Sequence, residues 1–379
     1  MSDQATVVQR RKSRQVWIGK VPVGGQAPIA VQTMTKTETD DVAATLAQIR
    51  QVAEARCDVV RVAVPDQAAA DALPEIVRGS ALPVIADIHF HYQFALAAIA
   101  AGCHKIRWNP GNIRKIEQVR EVVEAAKARR VPMRIGVNAG SLDPECQREH
   151  PHDVAAAMVA SAMKSVRLME SLDFHDLVIS LKASDVLTMM RAYRLMAQAC
   201  DYPLHLGVTE AGLPQDSTIK SSIGIGGLLA EGIGDTIRVS ITGDPVEEVK
   251  VGQGMLSALG LRRFGAEIIA CPSCGRVQID LVRIASEVDA RMRALAKEDP
   301  RYAQITLSIM GCVVNGPGEA HLSDIGLSGG GGMGIIYRKG EMVKRVPEAE
   351  MVDAVIAEAR DFIKTGTAAP RVQQPALST

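Results

Sequence analysis

The chain has 379 residues, of which 47% are apolar and only 3% aromatic. That is ample for a core packed with Ala, Val, Ile and Leu, and long for one ordinary domain. Lys+Arg and Asp+Glu balance at 43 each. The balance excludes a global positive field for nucleic acid or an anionic membrane, and few aromatic rings remain for stacking bases. Any anion site must come from a local concentration of charge.

Residues 1–14 are polar and basic, with no apolar signal core. The longest nearly continuous apolar stretch, residues 94–103, is too short to span a bilayer, so a soluble, cytoplasmic protein without a membrane partner is expected. Residues 16–25 read as a hairpin ending in Gly24-Gly25. A short apolar strand, a polar loop and an amphipathic helix then recur eight times, with strands expected at 29–33, 59–64, 84–89, 105–109, 133–138, 177–182, 204–209 and 236–240. Helices such as 42–55, 113–129, 154–171 and 186–199 lie between them. Eight such units in about 250 residues predict an α/β fold, a closed (β/α)8 barrel of the TIM type. An open doubly wound sheet is disfavoured because no dinucleotide fingerprint follows the first strand. Asp244-Pro245-Val246-Glu247 reads as the capping box of the last barrel helix, with no catalytic weight.

From about Gly265 the pattern changes to a small α+β unit: strand 267–270, helix 279–297, strand 305–310, a glycine-rich turn, short strands and a last helix, 348–364. The expected domains are therefore 1–262 for the barrel with its arm and hairpin, 263–364 for the α+β unit, and a disordered tail from 365.

In a TIM-type barrel the active site lies at the carboxyl ends of the strands. Those ends carry Arg61, Asp87 and His89, Arg107 and Asn109, Arg134 and Asn138, Lys182, Glu210, and Arg238 and Ser240. Pairs two or four residues apart share one face of their strand. An internal salt-bridge network is the plain explanation, but two acids, Asp87 and Glu210, cannot neutralise five cations. The excess points to a ligand with several negative charges, such as a diphosphate, which arginine forks bind bidentately. The loop after the seventh strand adds Lys220-Ser221-Ser222 before a helix, a seat for phosphate at a helix N-terminus.

Seven cysteines, an odd number in a long chain of this kind, argue against a disulfide framework. Cys271 and Cys274 form a C-x-x-C directly after a strand. A redox dithiol, half of a zinc site and two ligands of an iron–sulfur cluster all fit that motif. The dithiol leaves Cys312 unexplained, and zinc lacks a second C-x-x-C or a His pair nearby. Cys312 sits in a glycine- and proline-rich loop ending in Glu319, where backbone amides can approach a cluster closely. Three thiolates and a carboxylate make a cluster with one labile corner, and Glu319 is expected to yield its iron to the substrate. Cys57, Cys103 and Cys200 read as small buried hydrophobes and Cys146 as a loop residue. Gly329, Gly331 and Gly334 match G-x-G-x-x-G without the strand-to-helix setting that a nucleotide site needs.

The segments VQTMT, ADIHF, RWNPGNI, RIGVNAGSL, SLKASD, TEAG, IKSSIGIG, EGIGDTIRVSITGDPVEE, ACPSCGR and MGCVVNGPGEA resemble the 4-hydroxy-3-methylbut-2-enyl diphosphate synthases of the methylerythritol phosphate route to isoprenoids. The resemblance runs over nearly the whole chain. It implies a barrel binding 2-C-methyl-D-erythritol 2,4-cyclodiphosphate, followed by an α+β domain with a [4Fe–4S] cluster on Cys271, Cys274, Cys312 and Glu319. It implies substrate contacts by Arg61, Arg107, Asn109, Arg134, Asn138, Lys182, Arg238 and Ser240, with Glu210 in the catalytic pocket. Glu210 is then the leading proton donor and His89 the reserve. A homodimer with a shared active site, and flavodoxin or ferredoxin as the electron donor, are further implied. The loop AGLPQDST has less glycine than the family often shows, and the absence of a large insertion marks the short bacterial form rather than the plant one. Two other readings stay open: a redox-neutral barrel synthase with a structural zinc, and an iron–sulfur electron carrier with no substrate.

Overall fold

The computed structural model describes residues 8–89, 91–108 and 115–365. It divides into two compact units between Leu261 and Arg262. The first unit opens with strands β1 (Gln15–Ile18) and β2 (Val21–Gly24), an antiparallel hairpin. Gly24 has φ +85°, and a Cβ there would stand 2.0 Å from the Arg14 carbonyl oxygen, so only glycine fits. Val16, Ile18 and Val23 pack against Ala30, Val59, Ile85 and Val178, residues near the starts of four barrel strands. The hairpin therefore plugs the amino end of the barrel and leaves the carboxyl end for function.

The barrel strands are β3 (Ala30–Met34), β4 (Val59–Ala63), β5 (Val84–Asp87), β6 (Lys105–Arg107), β7 (Met133–Asn138), β8 (Leu177–Lys182), β9 (His205–Leu206) and β10 (Thr236–Ile237). They run parallel in the order β8-β7-β6-β5-β4-β3-β10-β9, and a parallel bridge between Ile179 and Leu204 completes the ring. The expected TIM-type barrel is thus present, with β7 and β8 matching their expected spans. The last two strands are shorter than expected. Past Leu206 and Ile237 the backbone turns into loops, keeping one ladder-like bond from the Arg238 N–H to the Leu206 carbonyl at 3.0 Å. Between strands, Asp41, Asp66, Asp153, Asp185 and Asp244 each accept a hydrogen bond from a first-turn amide of the helix they precede. Each satisfies an otherwise unpaired donor and marks a helix start in the sequence.

The second unit carries a five-stranded sheet in sequence order: β11 (Glu267–Ala270), β12 (Thr306–Met310), β13 (Ile325–Gly330), β14 (Met333–Arg338) and β15 (Glu341–Pro347). The first three are parallel and the last two antiparallel. Helices Leu281–Glu298 and Met351–Lys364 bury Ile284, Val288, Met292, Ile356 and Phe362 with Leu307, Ile309, Leu327 and Ile336 of the sheet. The helix expected from 279 begins at Leu281, because Asp280 caps it by accepting from the Arg283 N–H. The glycine triad noted above falls on the β13–β14 hairpin, whose turn is Gly331-Gly332. The expected tail beyond Thr365 lies outside the described residues. Among those residues no helix is long and apolar enough to cross a membrane.

Candidate active site

Strand periodicity gathers the charges. Arg61, Asp87, Arg107, Arg134 and Lys182 are all buried in the barrel unit. Asp87 is the hub: its oxygens lie 3.6 Å from Arg61 Nε, 3.4 Å from Arg107 Nη1 and 3.7 Å from His89 Nε2. Arg107 Nη1 also lies 3.1 Å from His89 Nδ1, and Arg61 is steadied by the Met34 sulfur at 2.9 Å from Nη2. Burial works against a charge on Asp87. Arg61, then the hydrogen-bonding His89 and Arg107, outweigh it and hold the carboxyl well below the usual carboxylate range. Gly136 makes room for the cluster, since a Cβ there would come 2.8 Å from Arg107 Nε.

Arg134 and Lys182 have no ion-pair partner among the described residues. Arg134 Nε and Nη1 are buried without a hydrogen-bond partner there. Burial, then repulsion from Arg61 and Arg107, opposes the charge on Arg134, yet a guanidinium keeps its proton. Burial, then Arg61, Arg134, Arg238 and Arg107, pushes the Lys182 amine well down. Such a nest of cations is stabilised by an anion from outside.

Arg238 is the exception, and it corrects the expected charge balance. Glu248, fully buried, accepts from Arg238 Nε at 3.3 Å and Nη2 at 3.1 Å, from the Thr33 hydroxyl at 2.7 Å and from the Ile241 N–H at 3.1 Å. Lys36 Nζ lies 3.2 Å from the same carboxylate. Arg238 Nη1 in turn donates to Ser240 Oγ at 2.8 Å. The acids that balance the interior are thus Asp87 and Glu248. Glu210 is exposed at the end of its strand region. Glu247, expected to close the capping box, pairs instead with Lys250 at 2.7 Å on the surface.

Glu210 has a feature of its own: it holds φ +52°, a left-handed backbone that non-glycine residues adopt at a cost of about 1–3 kcal/mol. Bonds from the Thr209 N–H to the Ala183 carbonyl at 3.2 Å and from the Thr242 N–H to the Gly212 carbonyl at 3.1 Å tie the backbone on both sides. Asn138 is half-buried at the end of β7, and Asn109 lies outside the described residues. Lys220-Ser221-Ser222 is not a helix start. It closes the helix Pro214–Ser221 and runs directly into a π turn, Ser222–Gly226, so the amides there are not free for phosphate.

The cysteine loops leave the carboxyl ends of the neighbouring strands β11 and β12. The Gly311 N–H donates to Cys271 Sγ at 3.4 Å, and the Gln278 N–H donates to the Gly311 carbonyl at 2.9 Å, which stitches the two loops together. Ser273, between the paired cysteines, is left-handed at φ +57°. A hydrogen bond and the charge of Arg276 lower the exposed Cys274 thiol, and the same guanidinium is raised by Cys274 and then Cys312. Glu319 lies in the first turn of helix Gly316–Leu322, half-buried. Among the described residues, no three His, Cys, Asp or Glu side chains approach closely enough to hold a metal ion. The remaining cysteines are apart: Cys57, Cys103 and Cys146 are buried and Cys200 half-buried, with Cys57 and Cys103 pushed up to about 12 by burial.

A family model described as the GcpE TIM-barrel domain matches residues 13–253, and one described as the GcpE protein C-terminal domain matches residues 267–361. The chain belongs to the GcpE family. A GcpE-family relative from Geobacter sulfurreducens is 53% identical over 93% of this chain and 99% of its own length. One from Symbiobacterium thermophilum is 53% identical over 92% and 93%, and one from Clostridium perfringens 52% identical over 92% and 98%. All three are named 4-hydroxy-3-methylbut-2-en-1-yl diphosphate synthase (flavodoxin). For a GcpE chain the donor set of the C-terminal unit fits an iron–sulfur group in kind: three free thiols and a carboxylate, with a backbone amide already directed at one sulfur. Cys274 is exposed on its loop, so its side chain can turn without disturbing the core. The residue that sequence reasoning missed is Glu248. It stands next to a recognisable capping motif, and only the packing of its helix on β3 and β10 turns it inward.

Proposed function

We propose that this chain reductively opens 2-C-methyl-D-erythritol 2,4-cyclodiphosphate to 4-hydroxy-3-methylbut-2-enyl diphosphate, with two electrons taken in and a hydroxyl lost as water. The observation that carries the reading is the buried cation cluster with too few acids, set at the carboxyl ends of barrel strands in a GcpE-family chain. Arg61, Arg107, Arg134, Lys182 and Arg238 hold the diphosphate, with Asn109, Asn138 and Ser240 supplying neutral hydrogen bonds. Asp87 and Glu248 keep three of the arginines aimed before substrate arrives, so little reorganisation is left for binding. Glu210 delivers the proton that lets the hydroxyl leave, and His89, already poised by Asp87 and Arg107, is the reserve donor.

Cys271, Cys274, Cys312 and Glu319 would hold a [4Fe–4S] cluster, which supplies electrons to the bound substrate one at a time when present. Flavodoxin is the donor that the relatives' names support, with ferredoxin the other one-electron carrier of that kind. The enzyme works in the cytoplasm as a homodimer whose subunits share an active site. A shallow, largely apolar groove lined by Gly226, Val251, Gly254, Met255, Ala258 and Leu259 offers a face for such an assembly. The test is anaerobic purification with iron and sulfide counting, followed by turnover of the cyclic diphosphate with reduced flavodoxin. Iron with sulfide and product formation supports the reading. Colourless protein holding zinc, or a cluster protein that leaves the cyclic diphosphate untouched, overturns it.

A further inference from the structure

Beneath the cations of the mouth lies a second polar tier. Lys105 opens β6, two residues before Arg107 and on the same inward face, about 7 Å lower along the strand. It is fully buried, and its Nζ has no hydrogen-bond partner among the described residues. Other buried polar groups of the barrel interior are equally unpartnered at some atoms: both amide atoms of Gln32 on β3 and Nε2 of His205 on β9.

The titratable groups whose charge bears on Lys105 are Arg134 on β7, Arg61 on β4 and the buried His205 on β9, with Arg107 two residues on along its own strand. The acids are already engaged, Asp87 by Arg61, Arg107 and His89 and Glu248 by Arg238 and Lys36. A buried ammonium among cations, without an acid of its own, is held at the limit of what the interior tolerates. Arginine cannot relieve that strain by shedding a proton, but lysine can.

We propose that Lys105 is a positioning residue for the diphosphate: its amine is neutral in the free enzyme and takes up a proton when the anion occupies the mouth above it. The step converts –NH2 to –NH3+ with a proton drawn from bulk solvent, and no other bond changes. Burial, then the charges of Arg134 and Arg61, pushes the free amine well down, and two phosphate charges above it act in the opposite sense. The uptake turns a crowded cationic floor, tolerable without ligand, into a fully charged one only when the ligand is present. This inference rests on the reading of the barrel as a cyclic diphosphate site.

The experiment is titration calorimetry of the oxidised holoenzyme with the cyclic diphosphate, electron donor omitted, in buffers of differing ionisation heat near neutral pH. The slope of the observed heat against buffer heat counts protons. Wild type should take up about one proton or more per substrate, with Lys182 contributing beside Lys105, and Lys105→Met should lower the count by about half a proton or more. Lys105→Arg, permanently charged, should lower it equally, which keeps the test valid if the Met variant does not fold. A purely structural role for Lys105 would alter unfolding temperature or affinity in these variants and leave the proton count unchanged. An unchanged count in a folded variant, or no uptake by wild type despite binding, overturns the proposal alone. Absence of any binding by wild type overturns the reading of the barrel, and the proposal with it.

Discussion

The two units place their functional groups in opposite ways. In the barrel most of the charged side chains stand on strands, buried, with Asp87 on β5 and Glu248 on the last barrel helix fixing the directions of Arg61, Arg107 and Arg238. In the C-terminal unit the cysteines and Glu319 stand on loops and a short helix beyond the sheet, half-buried or exposed. The contrast follows from what each must hold. A polyanion rewards a rigid nest of cations that would otherwise repel one another. A metal group supplies strong bonds of its own and draws in ligands from mobile backbone. On the proposed reading, preorganisation belongs to the barrel, and assembly on binding to the cysteine loops.

The sharpest way to break this comparison is Cys312→Ser. If the loops are assembled by the group they bind, the variant should lose most of its iron and sulfide. Its turnover should drop by more than about 100-fold, while calorimetric binding of the cyclic diphosphate is retained. Full iron content with normal turnover would remove Cys312 from the ligand set. The complementary change is Arg134→Met. It should lower kcat/KM about 100-fold through lost orientation of the anion and leave iron content and the visible spectrum unaltered. Loss of iron in that variant would show that the two regions are not separable.

Glu248→Gln probes preorganisation itself. It keeps the volume and much of the hydrogen bonding but leaves Arg238 and Lys36 without a counter-charge. We expect a loss of about 3 kcal/mol in barrel stability and a rise in KM larger than the fall in kcat, read from thermal unfolding and steady-state kinetics. Unchanged KM would assign Glu248 to packing alone. The smallest effect is pH-dependent. The folded Asp87 carboxyl is held below its ordinary value of 3.8, so its stabilising contribution is complete above that value and is lost as pH falls below it. The stability difference between wild type and Asp87→Asn should therefore be constant from neutral pH down to about 4 and shrink in stronger acid. A difference that grows on acidification would contradict the assigned ion pairs.

Much of this protein was legible in the residues alone. The eight apolar strands, the Asp244 cap and the placement of Arg61, Arg107, Arg134 and Lys182 at strand ends are local patterns, so they predict the barrel and its cationic mouth without coordinates. The C-x-x-C and the later cysteine loop are equally local, and they mark candidate ligands through donor chemistry. Lys220-Ser221-Ser222 was misread because a π turn lets one helix run on where glycine and serine suggest a start. Glu248, the engagement of Asp87 by three partners, the left-handed Glu210 and the unpartnered Lys105 were decided by tertiary structure. Each depends on which side chains from distant strands and helices arrive at the same point. Sequence periodicity tells which face a residue occupies, but the company it keeps there is set by how the ring closes.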